Sequence, residues 1–290
     1  MRELGYGLEL EYSRMHSSFT THPLVNKPQE LTSRVWANIK PGIVDFMEKT
    51  REDRLKRHRV NIIHERLDRV RKLFDNYTAA EPQPSILPQV ADINNMPECR
   101  ALFLAANDVE HSEQDFAHIA SQLPELCERW RTVAEGELAL LMSKGPASDR
   151  LAQPGQNRQK LELATTYFSS SCGCGVISYP RILVHECLTM NMDPWSDGDG
   201  ENAIIGNWDA FGQPWSVGLE GFVYAEDVSA AVRCLLATCS LDPDNTTAKE
   251  MDERDSRFSC ENCWSRDEGA LVMTWRMAVC ISESKNIAPN

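Results

Sequence analysis

Three short segments of the sequence combine thiol and imidazole side chains at spacings that suit a metal ion. They are Cys172-Gly-Cys174, His185-Glu-Cys187 and Cys260-Glu-Asn-Cys263, and a further thiol follows at Cys280. Zinc prefers four thiolate or imidazole ligands in a tetrahedron, which proteins usually supply as close pairs from separate segments. We therefore predict a zinc site with ligands drawn from Cys172, Cys174, His185, Cys187, Cys260, Cys263 and Cys280.

The local sequence favours a structural zinc ion. Gly173 and Gly175 allow the tight backbone that a Cys-x-Cys pair needs, and amides in the Cys-x-x-Cys turn at Cys260 can donate hydrogen bonds to the thiolates. A catalytic zinc keeps one coordination position open for water, whereas a structural zinc takes all of its ligands from the protein. We therefore expect a site of zinc-finger type.

Other interpretations of the same cysteines stay open. Ordinary buried thiols would need no metal, since free cysteine packs as a small hydrophobe. A redox-active pair at Cys260 is disfavoured because no alternation of strands and helices surrounds it. The zinc deaminase signature, His-x-Glu followed by Pro-Cys-x-x-Cys, fails in both halves, since Glu186 directly follows His185 and Ser259 precedes Cys260. A zinc enzyme with an open coordination position is the third hypothesis for function.

Composition limits the class of protein and its compartment. The chain has 290 residues, ten cysteines and a net charge of −13. It contains no run of about 18 apolar residues, so no membrane span is predicted. The N-terminal MRELGYGLELEYSRMH lacks the basic and apolar parts of a secretory signal. Because a protein without an export signal is expected in a reducing compartment, we expect an intracellular location, in the cytoplasm or the nucleus.

Residues 144–160, KGPASDRLAQPGQNRQK, separate two parts of different character. This stretch is rich in Gly, Pro, Ser and Gln and has no periodic apolar signal, as is typical of a linker. We predict a helical region over 1–143, and a smaller, cysteine-rich, mixed α/β region that binds zinc over 161–290. The expected fold class is α-rich α+β.

The helical region contains one sharp apolar period. Its positions are three or four residues apart, at Val60, Ile63, Leu67, Val70, Phe74 and Tyr77. The pattern predicts one long helix packed in a bundle, since it is too short for a coiled coil, and the prolines of EPQPSILPQ end it. We expect an interruption at Pro41-Gly42 in the preceding helical segment. A later helix is predicted from Pro124, which suits a first turn, to about Met142.

The sequence of the second region predicts short strands and helices. Residues 176–179 suit a strand, and apolar residues at helical spacing predict a helix over 225–239. Cys234 and Cys239 fit the packed side of that helix better than a metal site. Thr247 with Glu250 forms a capping-box sequence that opens another helix.

A basic segment supplies the main alternative for function. Residues 49–72 contain ten Lys or Arg and four Asp or Glu, a local charge of +6, so the rest of the chain carries −19. Such a helix could contact phosphates, which would make the protein a nucleic-acid-associated regulator that uses this helix and the zinc region. We favour a solvated face that pairs with the chain's own acids, because so acidic a protein repels DNA over most of its surface.

The sequence offers no motif for catalysis. The segment DPWSDGDGE contains four acids, but they do not match the offsets of an EF-hand loop, so a solvated acidic loop is expected. There is no Walker loop and no GxGxxG fingerprint, and no order typical of a Ser-His-Asp hydrolase stands out. We therefore predict a protein that is not an enzyme.

Four distinctive stretches are spread over roughly residues 20 to 280. They are KPQELTSRVWANIKPGIVDFMEKTREDRL, ELATTYFSSSCGCGVISYPRILVHECL, LDPDNTTAKEMDERDSRFSCENC and LVMTWRMAV. Together they resemble a large family of basidiomycete fungal proteins, some of which are described as F-box-domain proteins. The resemblance implies an N-terminal helical region and a cysteine-rich, zinc-finger-like C-terminal region, and it implies no activity.

The chain departs from that family at the predicted ligands. Family members carry Cys-x-x-Cys before the ISYPR stretch, whereas here the pair is Cys172-x-Cys174. Two histidines follow their TWR stretch, where this chain has Cys280 and no histidine, so a second zinc site is expected to be incomplete or absent. No F-box opening such as Leu-Pro-x-Glu lies in residues 1–50, so an adaptor role is an analogy with the family.

These patterns lead to one expectation for function. We expect an intracellular, non-enzymatic protein-interaction module, an adaptor or regulator, with protein partners. Nucleic acid is the less favoured partner, and no membrane association is expected. Zinc would be a structural cofactor, because a closed four-ligand site contributes its binding free energy to folding.

Overall fold

The computed structural model of this protein describes residues 1–15, 18–82, 85–143, 154–170, 173–189, 201–205, 213–215, 219, 221–259 and 271–279. Helices make up 65% of these residues, and the described strands form a three-stranded and a two-stranded sheet. The predicted α-rich α+β class is confirmed. None of the described helices is both long enough and apolar enough to cross a membrane.

The helices and strands with both ends among the described residues follow one another along the chain. The α-helices are α1 (Gly7–Met15), α2 (Ser33–Ala80), α3 (Val90–Asn94), α4 (Pro97–Leu104), α5 (Glu113–Leu141), α6 (Pro154–Leu161), α7 (Glu186–Thr189), α8 (Glu201–Ile205), α9 (Glu226–Thr238) and α10 (Ala248–Arg254). The strands are β1 (Tyr167–Ser170), β2 (Val176–Ser178), β3 (Phe222–Tyr224), β4 (Arg257–Ser259) and β5 (Val272–Thr274). Short 3₁₀-helices cover Arg2–Leu4 and Arg181–Val184.

Contacts divide the chain into two compact units. The first comprises Met1–Arg69 with Leu102–Glu110, and the second comprises Val70–Ala101 with His111–Asn290. Of the predicted linker, residues 154–160 belong to α6, and residues 144–153 lie outside the described residues. The division into regions 1–143 and 161–290 stays a prediction.

Helix α2 continues through Pro41, so the predicted interruption at that residue is wrong. A proline inside a helix removes one backbone hydrogen bond, but apolar packing on both sides preserves the helix. Ile43 and Met47 are 1% and 0% exposed and pack with Tyr6. Gly42 permits a close approach, because a Cβ there would lie 2.7 Å from Cδ1 of Leu24. The helix ends at Ala80, directly before the proline-rich stretch, as predicted.

Helix α5 begins at Glu113, so the predicted start at Pro124 is wrong. Ser112 caps the helix, since its hydroxyl accepts the Asp115 N–H and the Asp115 carboxylate accepts the Ser112 N–H. The buried face continues on the N-terminal side of Pro124, where three apolar residues are at most 4% exposed, namely Phe116, Ile119 and Leu123. The capping box at Ser112 and the buried apolar face therefore determine where the helix begins, and they override the preference of proline for the first helical turn.

The three-stranded sheet packs against α5 within the second unit. Its strands are antiparallel in the order β2-β1-β3, and Phe168 of β1 lies opposite Ile177 of β2 and Tyr224 of β3. Phe168 is 0% exposed and belongs to one core with Trp130 and Leu138 of α5. The strand predicted at residues 176–179 is confirmed as β2.

A second core of the same unit forms around α9 and α10. Val232, Leu236 and Met251 are fully buried there together with Trp275. The capping box of Thr247 and Glu250 is confirmed at the start of α10. The helix predicted over 225–239 is confirmed as α9, but Cys234 is exposed and not packed, because residues 229, 232 and 236 form the buried face and 234 projects from the other side.

Asp92 of α3 gives a pH-dependent contribution to stability. Its carboxylate is 8% exposed and accepts the backbone N–H groups of Gln89 and Trp215, each at 2.9 Å. Burial raises the pKa of Asp92 from 3.8 to about 6. Because the folded pKa exceeds the unfolded one, this contribution is complete below about pH 4 and decreases by about 3 kcal/mol as the pH rises through 6.

The pH dependence can be isolated with Asp92→Asn, which does not titrate. Urea unfolding of both proteins between pH 4.5 and about 7.5 should show the wild type losing stability relative to the variant as the pH rises. A difference in unfolding free energy that stays constant over this range would contradict a raised pKa at Asp92.

Candidate metal centre

Three of the predicted ligands, Cys174, His185 and Cys187, lie together. One ligand atom of each side chain lies within 4.8 Å of those of the other two, and the two sulfur atoms are 3.4 Å apart. In a tetrahedral zinc site two thiolate sulfurs are roughly 3.8 Å apart, since each Zn–S bond is about 2.3 Å. The three side chains therefore have close to the mutual spacing that one zinc ion requires.

Cys174 lies in the loop between β1 and β2, flanked by two glycines. Gly173 and Gly175 have φ angles of 78° and 79°, in the left-handed region that favours glycine. A Cβ at Gly173 would have no other atom within 4 Å, so a larger side chain would not clash there. Glycine is favoured at this position because of its positive φ angle. The tight backbone expected around Cys174 is present.

His185 and Cys187 lie at the beginning of α7. His185 directly follows the 3₁₀-helix Arg181–Val184, and its carbonyl accepts the backbone N–H of Leu188 at 2.9 Å. Leu183 and Leu188, on either side, are 2% and 0% exposed and belong to the core that also contains Phe168 of β1. This shared core positions the segment against the hairpin that carries Cys174.

The environment of the His185 imidazole indicates whether these residues can hold a metal ion. Its Nε2 is buried and has no hydrogen-bond partner among the described residues, and the ring packs edge-on against Phe222 with centroids 5.8 Å apart. A buried polar atom without a partner costs about 1–3 kcal/mol, and zinc coordination would supply the partner. Two thiols and one imidazole are a donor set that zinc prefers. The residues fit a zinc ion.

Exposure distinguishes these thiols from the packed ones. Cys99 and Cys127 are 0% and 8% exposed, and burial raises the pKa of their thiols to about 12 and about 11. Cys174 is exposed and Cys187 is half-buried. A thiol in apolar surroundings is inert, whereas a metal ligand must become a thiolate. Cys99 and Cys127 are thus buried thiols, whereas Cys174 and Cys187 are the more accessible ones.

The other predicted ligands are not described by the structure. Residues 172, 260, 263 and 280 lie outside the described ranges, and so do residues 193–199 of the acidic loop. A fourth ligand from this set therefore remains a prediction of the sequence. Sequence reasoning did not find Phe222 as the neighbour of His185, and no local pattern could indicate this contact because the two residues are far apart in the chain.

Four arginines of the basic segment 49–72 bind groups inside the first unit. Arg54 donates to Oε1 of Glu9 at 2.9 Å, and Arg51 lies 3.5 Å from the same atom. Glu9 is 1% exposed; burial opposes its ionisation, but hydrogen bonds from the backbone and from Arg54 lower its pKa. Arg59 and Arg66 donate to backbone carbonyls of the first unit. These four guanidinium groups therefore make contacts within the first unit, and the nucleic-acid alternative stays a hypothesis.

Cys174, His185 and Cys187 thus form a candidate metal centre between a hairpin loop and the beginning of a short helix. Within the described part of the chain, they are the group of metal-ligating side chains close enough to share one ion. No family model, no curated protein and no solved structure matches the chain.

Proposed function

We propose that this protein is an intracellular, non-enzymatic protein-interaction module whose second unit is stabilised by a structural zinc ion. The observation that carries the proposal is the cluster of Cys174, His185 and Cys187, whose sulfur atoms are 3.4 Å apart. The buried Nε2 of its imidazole has no hydrogen-bond partner among the described residues. Two thiols and an imidazole at these distances match the donor set of structural zinc sites.

The fourth ligand would close the site with protein. The candidates are the remaining cysteines that the sequence predicts, namely Cys172, Cys260, Cys263 and Cys280. When bound, zinc would offset most of the negative charge of the thiolates and cross-link the hairpin loop to the beginning of α7. Such a cross-link adds stability to a unit whose strands are only three or four residues long.

The role in protein contacts rests on the resemblance to the basidiomycete family, some of whose members are described as F-box-domain proteins. An adaptor or regulator of this type works through protein partners in the cytoplasm or the nucleus. Thiol ligands that stay reduced are consistent with such a compartment. If a fourth cysteine closes the site, no coordination position is left for a reacting water, and the zinc would be structural.

Zinc analysis tests the metal. Protein purified without chelator should contain at least about one equivalent of zinc, and EDTA should lower its melting temperature. Cys187→Ser should reduce the zinc content below about half an equivalent, whereas Cys234→Ser, which changes an exposed thiol of α9, should leave it unchanged. Less than half an equivalent in the wild type, with a melting temperature indifferent to EDTA, would refute the zinc site.

Affinity isolation from the native cell tests the kind of partner. The same tagged protein is used with and without nuclease treatment, and captured proteins should be retained equally in both samples. If nuclease removes them, the nucleic-acid-associated regulator replaces the protein-interaction module as the proposed function.

A further inference from the structure

A cleft of about 500 Å³ in the second unit lies apart from the metal centre. Among the described residues, its buried wall contains Asp92 of α3, Trp130 of α5 and Trp215, and Val133 and Glu137 of α5 lie at its rim. This volume is within the range of about 300–1,000 Å³ that small-molecule sites occupy. The combination of carboxylates and tryptophans limits the chemistry of a ligand.

The carboxylates of the cleft carry uncompensated negative charge. Glu137 is half-buried and has no hydrogen bond or ion pair among the described residues, and burial raises its pKa. Burial raises the pKa of Asp92 and repulsion from Glu137 adds to it, whereas hydrogen bonds from the backbone N–H groups of Trp215 and Gln89 and from the Trp130 side chain oppose the rise. Arg129 also lines the cleft, but its guanidinium binds both oxygens of Glu98 at 2.9 and 2.6 Å. Among the described residues that line the cleft, the one cation is therefore already paired with a carboxylate other than those of Asp92 and Glu137.

The tryptophans supply an aromatic wall with an unsatisfied donor. Trp130 and Trp215 are 6% and 1% exposed, and their rings meet edge to face at 87° with centroids 6.5 Å apart. The buried Nε1–H of Trp215 has no hydrogen-bond partner among the described residues. Indole rings attract organic cations through their electron-rich faces.

The shape and donors of the cleft favour an organic cation over a metal or an anion. Its two carboxylates do not belong to a group of three ligand atoms close enough to share a metal ion, within the described part of the chain. An anion would face two carboxylates. Val133, Ala134 and Met96 provide apolar surface for methylene groups.

We propose that the cleft of Asp92, Glu137, Trp130 and Trp215 binds an alkylammonium group, with the cation near the Glu137 carboxylate and its carbon chain against the indoles. The group comes either from a free amine or from a lysine side chain of a partner protein. This site goes beyond the proposed function, since it requires no zinc and lies outside the metal centre.

NMR titration of the indole N–H signals tests this site on the full-length protein. N-acetyl-lysine-N-methylamide should shift the Trp130 and Trp215 signals in a saturable way, and N-acetyl-norleucine-N-methylamide, which has no charge, should not. Glu137→Gln should weaken binding of the lysine derivative by about fivefold. Glu125→Gln, at an exposed position of the same helix, should leave it unchanged.

Two further ligands distinguish the sources of the cation. If butylamine binds as tightly as the lysine derivative, the ligand is a free amine. If the lysine derivative binds at least about tenfold more tightly, contacts beyond the ammonium group contribute and a partner lysine is the ligand. Equal shifts with the norleucine derivative, or affinity unchanged by Glu137→Gln, would overturn the proposal.

Discussion

Replacing Arg158 with methionine is expected to lower the free energy of unfolding by about 3 kcal/mol. The Nε of Arg158 donates to both oxygens of Glu135, at 2.9 and 3.1 Å, and the Tyr179 hydroxyl donates to the same carboxylate at 2.7 Å. Glu135 is only 2% exposed, so loss of the guanidinium leaves a buried carboxylate without its ion-pair partner. The value lies at the lower end of the usual range because the Arg158 side chain is itself 37% exposed.

Glu128 provides the matched control for this variant. It accepts from Nη2 of the same arginine at 3.0 Å, but its side chain is 59% exposed. Glu128→Gln should therefore change the free energy of unfolding by less than about 1 kcal/mol. Urea unfolding of the three proteins at neutral pH measures both effects.

Equal losses for Arg158→Met and Glu128→Gln would show that burial of Glu135 does not matter. An effect near zero for both would show that the ion pair between Arg158 and Glu135 contributes little to the free energy of unfolding.

Replacing Arg66 with alanine is expected to destabilise the first unit by about 3 kcal/mol. Arg66 is 6% exposed. Its guanidinium donates to four backbone carbonyls within 3.2 Å, those of Phe103, Ala105, Ala106 and Val109. Deletion of the side chain removes these charge-assisted hydrogen bonds and leaves the Phe103 carbonyl buried without this donor.

Lys56 is the matched control on the same helix. It is exposed in the structure, so Lys56→Ala removes one positive charge of the basic segment without removing internal contacts. Its effect on the free energy of unfolding should stay within about 0.5 kcal/mol. If Arg66→Ala and Lys56→Ala change the free energy of unfolding equally little, the hydrogen bonds from Arg66 to residues 103–109 do not stabilise the first unit.

Much of the secondary structure could be predicted from the sequence, because it depends on interactions between residues only a few positions apart. The apolar spacing from Ile63 to Phe74 predicts the long helix α2, and these positions are buried in the structure. Thr247 and Glu250 predict the start of α10, since a capping box needs only residues three positions apart. Pro41 and Pro124 show the limit of this reasoning, because apolar packing on both sides retained each proline inside a helix.

The sequence also contains the chelating pairs, since spacing along the chain alone brings His185 and Cys187 close. It does not determine which pair meets which. Cys174 reaches His185 because Phe168 of β1 and Leu188 of α7 share one core, and such a contact depends on packing between segments that no local pattern connects.

The sequence by itself determined the charges, the period of the helices, the caps and the chelating spacings, all of which depend on near neighbours. Only the tertiary structure decided which groups are paired. Arg66 is buried and donates to backbone carbonyls, although the composition of its segment predicts a solvated basic face. Arg158 pairs with the buried Glu135, although composition predicts a linker at that position. The physical reason is that a charged side chain forms a hydrogen bond or an ion pair only with groups that tertiary packing brings near it. This packing is determined by the burial of apolar residues that are distant in the sequence.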